Sequence, residues 1–300
     1  MSWIRGRAGA ALAAAVGLSA GQPLRSQTPP PPTSVLLELP SSTRSAGLGG
    51  AAVALNGEAG SIFVNPAGLA TIRHIGLEGS LQRFSDGSIL NRGAGALRVY
   101  RCTLGAGYQY IRYAAEDPLN GSLRWMGSVG YRRGMIALAT NLNYTSVEDS
   151  SGHIDRALSG GAGMQLAVFD LMAFGISVQD FGDHTISGVG LTLPTTVKVG
   201  YTLNFVDPQS TKRLLMTIEG NFTHGRPGRA AVGAEAGIVL KGIGIVLRGG
   251  YSKAPPGIAI GEGSAGASVI ISPHAAVDYA YQPRTPVGGQ LHQLGVRLTL

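Results

Sequence analysis

Residues 197–205 read VKVGYTLNF, and the alternation in this stretch decides the fold class of the chain. Apolar side chains occupy every second position: Val197, Val199, Tyr201, Leu203 and Phe205. Because successive side chains of a β-strand point to opposite faces, the stretch would have one apolar face and one polar face. The period of two therefore predicts a strand that separates two different environments.

The same alternation continues from position 75 to the end of the chain, and it is equally clear at residues 232–240 and 294–300. We predict fourteen strands, most of them close to the ~9–11 residues with which a tilted strand crosses a bilayer. All 16 prolines lie outside these strands, as expected because proline removes a hydrogen-bond donor from a sheet. The predicted strands lie at 75–84, 92–101, 103–113, 122–132, 135–147, 157–168, 172–179, 195–205, 213–222, 230–240, 243–251, 264–271, 275–281 and 291–300.

The connections between the predicted strands alternate in length. The longer ones lie at 85–91, 114–121, 148–156, 180–194, 223–229, 252–263 and 282–290. The shorter ones lie near 102 and at 133–134, 169–171, 241–242 and 272–274, and the one at 206–212 is only marginally short. Long loops at one end and tight periplasmic turns at the other are typical of bacterial outer-membrane barrels.

Composition agrees with a membrane barrel. Charged residues make up 14% of the chain, against roughly 25% in soluble domains. The 46 glycines are about twice the average usage. Half of the strand positions in a membrane barrel face lipid, which keeps its charge content low. We therefore predict an all-β fold, a transmembrane antiparallel β-barrel of about fourteen strands. The basic residues are scattered rather than clustered, so we expect no nucleic-acid partner.

Charged residues in the middle of the predicted strands share one property: each is out of phase with the apolar set of its strand. We predict that they face the barrel lumen, because Lys or Arg facing lipid at the midplane would cost ~2–4 kcal/mol. A water-soluble sandwich would show the same phase, so the loop lengths and the N-terminal leader favour the barrel. The set would pair across the lumen or line a path for a solute, and it comprises Glu78, Arg98, Arg124, Lys198, Glu219, Glu235, Arg248, Asp278 and Arg297.

The N-terminal quarter of the sequence divides into short segments before the first strand. Residues 1–27 resemble a Sec signal peptide, with Arg5 and Arg7 before an apolar core and small residues at 19–21. We expect export to the bacterial outer membrane and removal of this leader. Residues 28–40 contain Pro29–Pro32 and predict a stiff linker. Residues 41–74 are expected to form an N-terminal plug inside the barrel, which spans residues 75–300.

The plug prediction rests on residues 44–68, which read RSAGLGGAAVALNGEAGSIFVNPAG. Glycines permit close backbone approach and positive φ. The proline in NPAG restricts the preceding Asn to extended or turn geometry. Residues 47–52 also fit the pattern G-x-G-x-x-A of dinucleotide-binding folds. That reading requires a strand that ends at the first glycine, and the apolar segment 35–39 ends eight residues too early.

The glycine-alanine run at 47–54 and the NPAG at 65–68 resemble the N-terminal signature of the PorV/PorQ family of outer-membrane barrels, which is related to FadL-type transporters of long-chain fatty acids. In such proteins the segment folds into the lumen as a plug. The signature residues here are Gly47, Gly49, Gly50, Asn65, Pro66 and Gly68. The resemblance implies an accessory role in protein secretion and surface export. The alternative is FadL-like transport of hydrophobic small molecules past a movable plug.

Two long loops, 180–194 and 252–263, are rich in apolar residues, which is unusual for solvated loops. An exposed apolar patch indicates a partner or a ligand. The patch would contact secretion-system proteins or exported cargo in the first role, and it would be the ligand entrance in the second. Its apolar residues are Ile186, Val189, Leu191, Leu193, Ile258 and Ile260.

The sequence offers little support for an enzyme, and we expect no catalytic residue, metal or cofactor. None of the six histidines is paired at metal-ligand spacing. The G-x-G-x-x-G at 261–266 precedes a predicted strand rather than a helix, so no helix N-terminus is available for a phosphate. Asp149, His153 and Asp155 lie close together, but in a loop of Ser and Gly that favours solvated side chains. Cys102 is the single cysteine and forms no internal disulfide.

Overall fold

The computed structural model describes residues 34–115, 117–168, 171–181, 184–186, 191–206, 211–253, 263–284 and 289–300. The predicted leader and most of the predicted linker lie outside these ranges. The strands are β1 (Ile75–Phe84), β2 (Ile89–Val99), β3 (Cys102–Arg112), β4 (Leu119–Arg133), β5 (Ile136–Asp149), β6 (Ile154–Val168), β7 (Met172–Phe181), β8 (His184–Ile186), β9 (Leu191–Leu193), β10 (Thr196–Asn204), β11 (Lys212–Thr223), β12 (Arg229–Leu240), β13 (Ile243–Lys253), β14 (Gly263–Ser272), β15 (Ala275–Gln282) and β16 (Leu291–Thr299).

Fourteen of these strands form a closed antiparallel barrel, which confirms the predicted fold class. Each strand pairs with its neighbour in the chain, except that β7 pairs directly with β10 because β8 and β9 form a separate hairpin. The first and last strands close the barrel, with Leu81 opposite Leu294. Closure leaves no unpaired strand edge.

The two ends of the barrel differ. The turn end carries the tight connections Tyr100–Arg101, Gly134–Met135 and Lys241–Gly242, together with the start of β1 and the end of β16. The connections after β6, β10 and β14 also lie at the turn end, and the loop end carries those after β1, β3, β5, β7, β11, β13 and β15, including the β8–β9 hairpin. The predicted loop 85–91 is shorter than expected because β2 begins at Ile89 rather than at residue 92, whereas β1 ends at Phe84 as predicted.

The outer surface of the barrel is apolar, as the alternation predicts. Leu142, Leu247 and Leu294 are 63%, 62% and 55% exposed, whereas their neighbours in the strands face inward. A side chain of this kind is stable on an outer wall only if the surroundings are apolar, because exposure to water would cost about 25 cal/mol per Å². The outer wall is therefore suited to lipid. Within the described ranges, no helix has the length and apolar character needed to cross a bilayer.

The lumen is filled by the chain that precedes β1. We call residues 34–40 the entry segment and residues 41–74 the plug. The plug contains one short helix, α1 (Thr43–Gly47), which Ser42 caps by accepting a hydrogen bond from the Ser45 nitrogen. Two 3-10 turns follow, Ala59–Phe63 and Pro66–Thr71. Directly after α1 the backbone takes positive φ angles at Gly49 and Gly50, 71° and 88°, as glycine permits.

Candidate functional site: the plugged lumen

The entry segment occupies the loop end of the lumen. Val35–Leu37 form a 3-10 turn, and Leu36 and Leu39 are buried in an apolar cluster with residues of the surrounding wall. The wall residues come from the loop ends of β1, β2, β3 and β16 and from the connection after β3: Phe84, Leu90, Ile111, Tyr113 and Leu291. The chain therefore runs from the loop end through the lumen to the turn end, where β1 begins.

The β8–β9 hairpin lies against this same mouth. Leu191 and Leu193 are 7% and 0% exposed and pack with Val147, with Leu37 of the entry segment at the margin of the cluster. The expectation that these two leucines form an exposed contact surface is therefore wrong. The hairpin turns them inward, because the mouth offers an apolar surface to cover. Ile186 belongs to β8, and Val189, Ile258 and Ile260 lie outside the described residues.

A group of paired charges joins the plug to the wall near the middle of the lumen. Arg44 of the plug binds Glu58 of the plug at 2.8 Å and Glu235 of β12 at 2.7 Å. Glu235 also accepts from Arg248 at 2.6 Å. We call this group the ionic cluster, and its members are Arg44, Glu58, Arg213, Glu235, Arg248, Asp278 and Arg297.

The ionic cluster fixes position more than it adds stability. Burying charges costs several kcal/mol per ion, which a well-formed pair roughly offsets. Removal of one partner, in contrast, leaves an uncompensated buried charge and costs ~3–5 kcal/mol. Arg44 has bonds to both the plug and the wall, so any displacement of α1 breaks several pairs together.

Polar side chains of the wall also hold plug backbone groups that lack partners in the plug itself. Glu219 accepts hydrogen bonds from the backbone nitrogens of Ala52 at 2.7 Å and Val53 at 2.8 Å. Glu78 accepts from the Gly60 nitrogen at 2.9 Å. An irregular segment enclosed in a barrel needs such partners, because an unpaired buried backbone group costs about as much as a lost hydrogen bond.

The asparagine of NPAG fastens two parts of the plug to the wall. Its amide nitrogen donates to the Val53 carbonyl oxygen at 2.8 Å and to the Met164 carbonyl oxygen of β6 at 3.2 Å. Its amide oxygen accepts from the Ala67 nitrogen at 3.1 Å. Asn65 thus caps the turn that begins at Pro66 and ties it to the glycine-alanine run.

A second polar group lies beneath the entry segment. Arg124 donates to both carboxylate oxygens of Asp180, at 2.9 and 3.0 Å. These two residues and Lys198 border a cavity of about 30 Å³ whose other side is apolar, with Leu36 and Phe63. That volume is about the share of one water molecule. This cavity is too small for a hydrocarbon-sized molecule.

The structure places eight of the nine charges expected in the lumen along the inner wall, and it places Arg98 at the turn end. The Arg98 Nε atom donates to the Tyr100 carbonyl oxygen at 3.0 Å. Among the plug-signature glycines, Gly49 lies so close to β13 that a Cβ atom on Gly250 would overlap the Gly49 backbone nitrogen. Gly47 passes β14 closely, since its Cβ would lie 3.1 Å from the Cα of Gly266.

Sequence reasoning missed several lumenal charges: Arg44, Glu58, Arg92, Asp180 and Arg213. A signal for two of them was present, because Arg44 and Glu58 are the charged residues of the otherwise uncharged stretch 44–68. Arg92 is buried and donates to the Pro40 carbonyl oxygen at the junction of entry segment and plug. Asp180 follows the predicted end of its strand and takes a positive φ of 56°.

The remaining chemical candidates lie apart from the lumen. His153 and Asp155 approach within 3.3 Å, with His153 largely exposed. Asp149 accepts from Ser151 and from the His153 backbone, as a turn residue does. Cys102 is exposed on the outer wall. Across the described part of the chain, no three His, Cys, Asp or Glu side chains gather to hold a metal ion.

Comparison with known proteins relates this architecture to channels. CymD, a monoaromatic hydrocarbon channel, superposes with a TM-score of 0.61 at 13% identity, over 89% of this chain and 99% of its own. The toluene transporter TbuX of Ralstonia pickettii gives 0.60 at 14% identity, over 86% and 98%. A FadL homologue of Pseudomonas aeruginosa gives 0.57 at 12% identity, over 86% and 98%. No protein-family model and no curated protein matches the sequence. At these identities the likeness concerns the fold, and the chain has the fold of FadL-type outer-membrane channels.

Proposed function

We propose that this chain is an outer-membrane barrel that admits hydrophobic small molecules at its loop end and passes them beyond a movable plug. The closed barrel with an apolar outer wall supports the location, and the leader at 1–27 would direct export. Of the channels that share the fold, CymD is a monoaromatic hydrocarbon channel and TbuX is a toluene transporter. A non-enzymatic transport role agrees with that likeness.

The observation that carries the proposal is the apolar mouth filled by the entry segment. Leu36 and Leu39 lie in a pocket whose walls are Phe84, Leu90 and Leu291 among others. A hydrophobic molecule could replace the side chains of these leucines, whose contacts here are apolar. Displacement of the whole entry segment would also break the contacts of Glu38 with Arg226 and of Pro40 with Arg92. The entry segment therefore occupies the place that an apolar ligand would take.

Passage beyond this pocket requires the plug to move. The cavity below the entry segment holds about 30 Å³, far less than the ~300–1,000 Å³ of small-molecule sites. Displacing the entry segment would enlarge the pocket, and loosening the ionic cluster would free α1 from the wall. Under this proposal, the structure would represent the closed state of the transporter.

The accessory role in protein secretion has weaker support. It rests on the glycine-alanine run and NPAG, which in this chain serve the docking of the plug. A receptor for exported proteins would expose apolar loop residues, whereas Leu191 and Leu193 turn inward. We therefore place hydrophobic transport first.

A disulfide between plug and wall tests the proposal. A Cβ atom on Gly295 would lie 3.1 Å from the Cβ of Thr43, near the ~3.5–4.5 Å that disulfides need. We expect cells that make Thr43→Cys/Gly295→Cys, in a Cys102→Ser background, to lose uptake of labelled fatty acid or toluene when oxidised. Reductant should restore uptake.

The single variant Thr43→Cys in the same background controls for the cysteine itself and should transport under both conditions. Equal uptake by the oxidised and the reduced double variant would refute passage beyond a movable plug. Absence of uptake in the wild-type protein, together with stoichiometric capture of an exported protein, would favour the secretion role instead.

A further inference from the structure

The structure points to a lipid site on the outer wall: we propose that an anionic phospholipid binds with its phosphate on arginines of the turn end and one acyl chain in a groove above them. We call these residues the turn-end arginines, and they are Arg73, Arg98, Arg101, Arg132 and Arg133. The inference goes beyond transport. It rests on the proposed outer-membrane location, and not on what the lumen carries.

The turn-end arginines come from neighbouring strands and form one patch. Arg73 precedes β1, Arg98 ends β2, and Arg101 lies in the turn before β3. The Arg98 backbone nitrogen donates to the His74 carbonyl oxygen at 2.7 Å. This bond joins the end of β2 to the segment that contains Arg73. The Arg132 nitrogen donates to the Arg101 carbonyl oxygen at 2.8 Å, which joins the patch to the end of β4.

The charge of this patch is uncompensated locally. The described segments 73–76, 97–103 and 130–137 contain no acidic residue. Arg98 and Arg132 lie in the lumen-facing phase of β2 and β4, and each donates from Nε to a backbone carbonyl oxygen of the adjoining turn. The side chains of Arg73, Arg101 and Arg133 are exposed and have no hydrogen bond or ion pair within the described part of the chain, and they form the outward part of the patch. Such a group attracts phosphate, for which arginine supplies paired donors.

A groove of about 420 Å³ lies on the outer wall of the same strands. It exists because three outward positions lack side chains: Gly79 of β1 stands opposite Gly93 of β2, and Gly95 stands opposite Leu77. Tyr108 and Trp125, with ring centroids 5.4 Å apart, border it on one side. Its volume falls within the ~300–1,000 Å³ typical of small-molecule sites.

The arginines and the groove lie at the right separation for one lipid. Gly95 lies four residues before the end of β2 at Val99, which corresponds to about 13 Å along the strand, and Arg101 follows in the turn. Between Gly95 and Arg101 the outer wall is apolar, with Leu97 and Val99 exposed to 44% and 52%. Tyr100 is 95% exposed at the boundary, where aromatic side chains sit at the level of lipid headgroups.

These features favour a lipid over an acidic protein. A water-soluble partner could contact the arginines but would leave the groove empty, because the groove lies on the lipid-facing wall. An anionic phospholipid would place its phosphate on the arginines and an acyl chain in the groove. Because the tight turns of such barrels face the periplasm, the site would select lipid from the periplasmic leaflet.

Native mass spectrometry of the purified barrel tests the site by titration with phosphatidylglycerol and with zwitterionic phosphatidylethanolamine. We expect phosphatidylglycerol to bind at least tenfold more tightly. The double variant Arg101→Gln/Arg133→Gln should weaken it about thirtyfold, since each basic residue near a membrane surface contributes about one kcal/mol. Arg112→Gln, at the opposite end of β3, is the matched control and should bind as the wild type does.

Filling the groove tests the second half of the site. A Cβ on Gly79 would meet its nearest neighbour at 3.9 Å, so Gly79→Leu fits the fold and should reduce phosphatidylglycerol binding. Gly249→Leu, also outward-facing with open space around it, is the control, and it lies on β13, four strands from β1 around the barrel. Equal affinity for the two phospholipids, unchanged binding in either test variant, or preferential binding of lipopolysaccharide would overturn the proposal.

Discussion

Neutralising Glu235 should release the plug without opening the barrel. Glu235 is buried and accepts from three arginines: Arg44 at 2.7 and 3.0 Å, Arg248 at 2.6 Å and Arg213 at 2.5 Å. The variant Glu235→Gln keeps the size of the side chain and removes its charge. The arginines are then left with an excess of positive charge in the lumen, which the loosening of α1 would relieve.

The expected loss of plug-docking free energy follows from the ion pairs that the arginines keep in the variant. Removal of one partner from a buried pair costs ~3–5 kcal/mol. Arg44 keeps Glu58 at 2.8 Å, and Arg248 keeps Asp278 at 3.2 Å. The loss should therefore fall near the lower limit, about 3 kcal/mol. This corresponds to about a hundredfold shift in the docking equilibrium of the plug.

Hydrogen exchange read by mass spectrometry can measure this shift for plug and wall separately. We expect peptides from residues 43–64 to exchange about a hundredfold faster in Glu235→Gln, because exchange follows local opening. Strand peptides should keep their rates. Because the closed barrel should stay folded in SDS, we expect both the wild type and the variant to migrate faster unboiled than boiled. Glu148→Gln, at the loop end of β5, is the control and should leave both sets of rates unchanged.

Two results would contradict this reasoning. Unchanged plug exchange would mean that the ionic cluster does not hold the plug. Equal acceleration of plug and strand peptides would mean that the cluster stabilises the whole barrel rather than the docked position of α1.

Three further perturbations probe other contacts. Gly250→Ala should displace the plug near Gly49 and raise ion conductance in planar bilayers, and unchanged conductance would show that the close approach is dispensable. Asn65→Ala should destabilise the plug by ~1–3 kcal/mol through unpaired backbone groups, detected as faster proteolysis of the plug, and wild-type resistance would contradict this. Burial raises the pKa of Glu38 even though Arg226 opposes the rise, so docking of the entry segment should weaken as pH rises through that pKa. Exchange of the entry segment should show this pH dependence and lose it in Glu38→Gln.

The sequence was sufficient to predict the barrel because its wall obeys a local rule. Alternation at Val197, Val199 and Tyr201 reflects an environment that changes with every residue, and the observed strand β10 agrees. Proline positions and turn lengths bounded the strands to within a few residues. The plug could be predicted from its small residues and from the resemblance of NPAG to the PorV/PorQ signature. An irregular segment with few charges, joined to a barrel, fits best inside the lumen.

The side-chain pairs across the lumen could not be predicted, because they depend on the strand register and on how far the strands are staggered around the barrel. Arg44 and Glu235 are 191 residues apart in the chain, and periodicity gives the face of a charge but not what lies across the lumen. The prediction that Leu191 and Leu193 are exposed was wrong for a related reason. An alternating apolar stretch reads the same whether its apolar face meets solvent, a partner or the mouth of its own barrel.

The path of the plug has a consequence for assembly. The entry segment lies at the loop end while β1 starts at the turn end, so the chain traverses the whole lumen before the wall begins. A wall that closed first would have to admit this chain lengthwise. The seam between β1 and β16 therefore closes last, around a segment already in place. The plug then serves as a core around which the strands pair, and its volume helps to set the number of strands at fourteen.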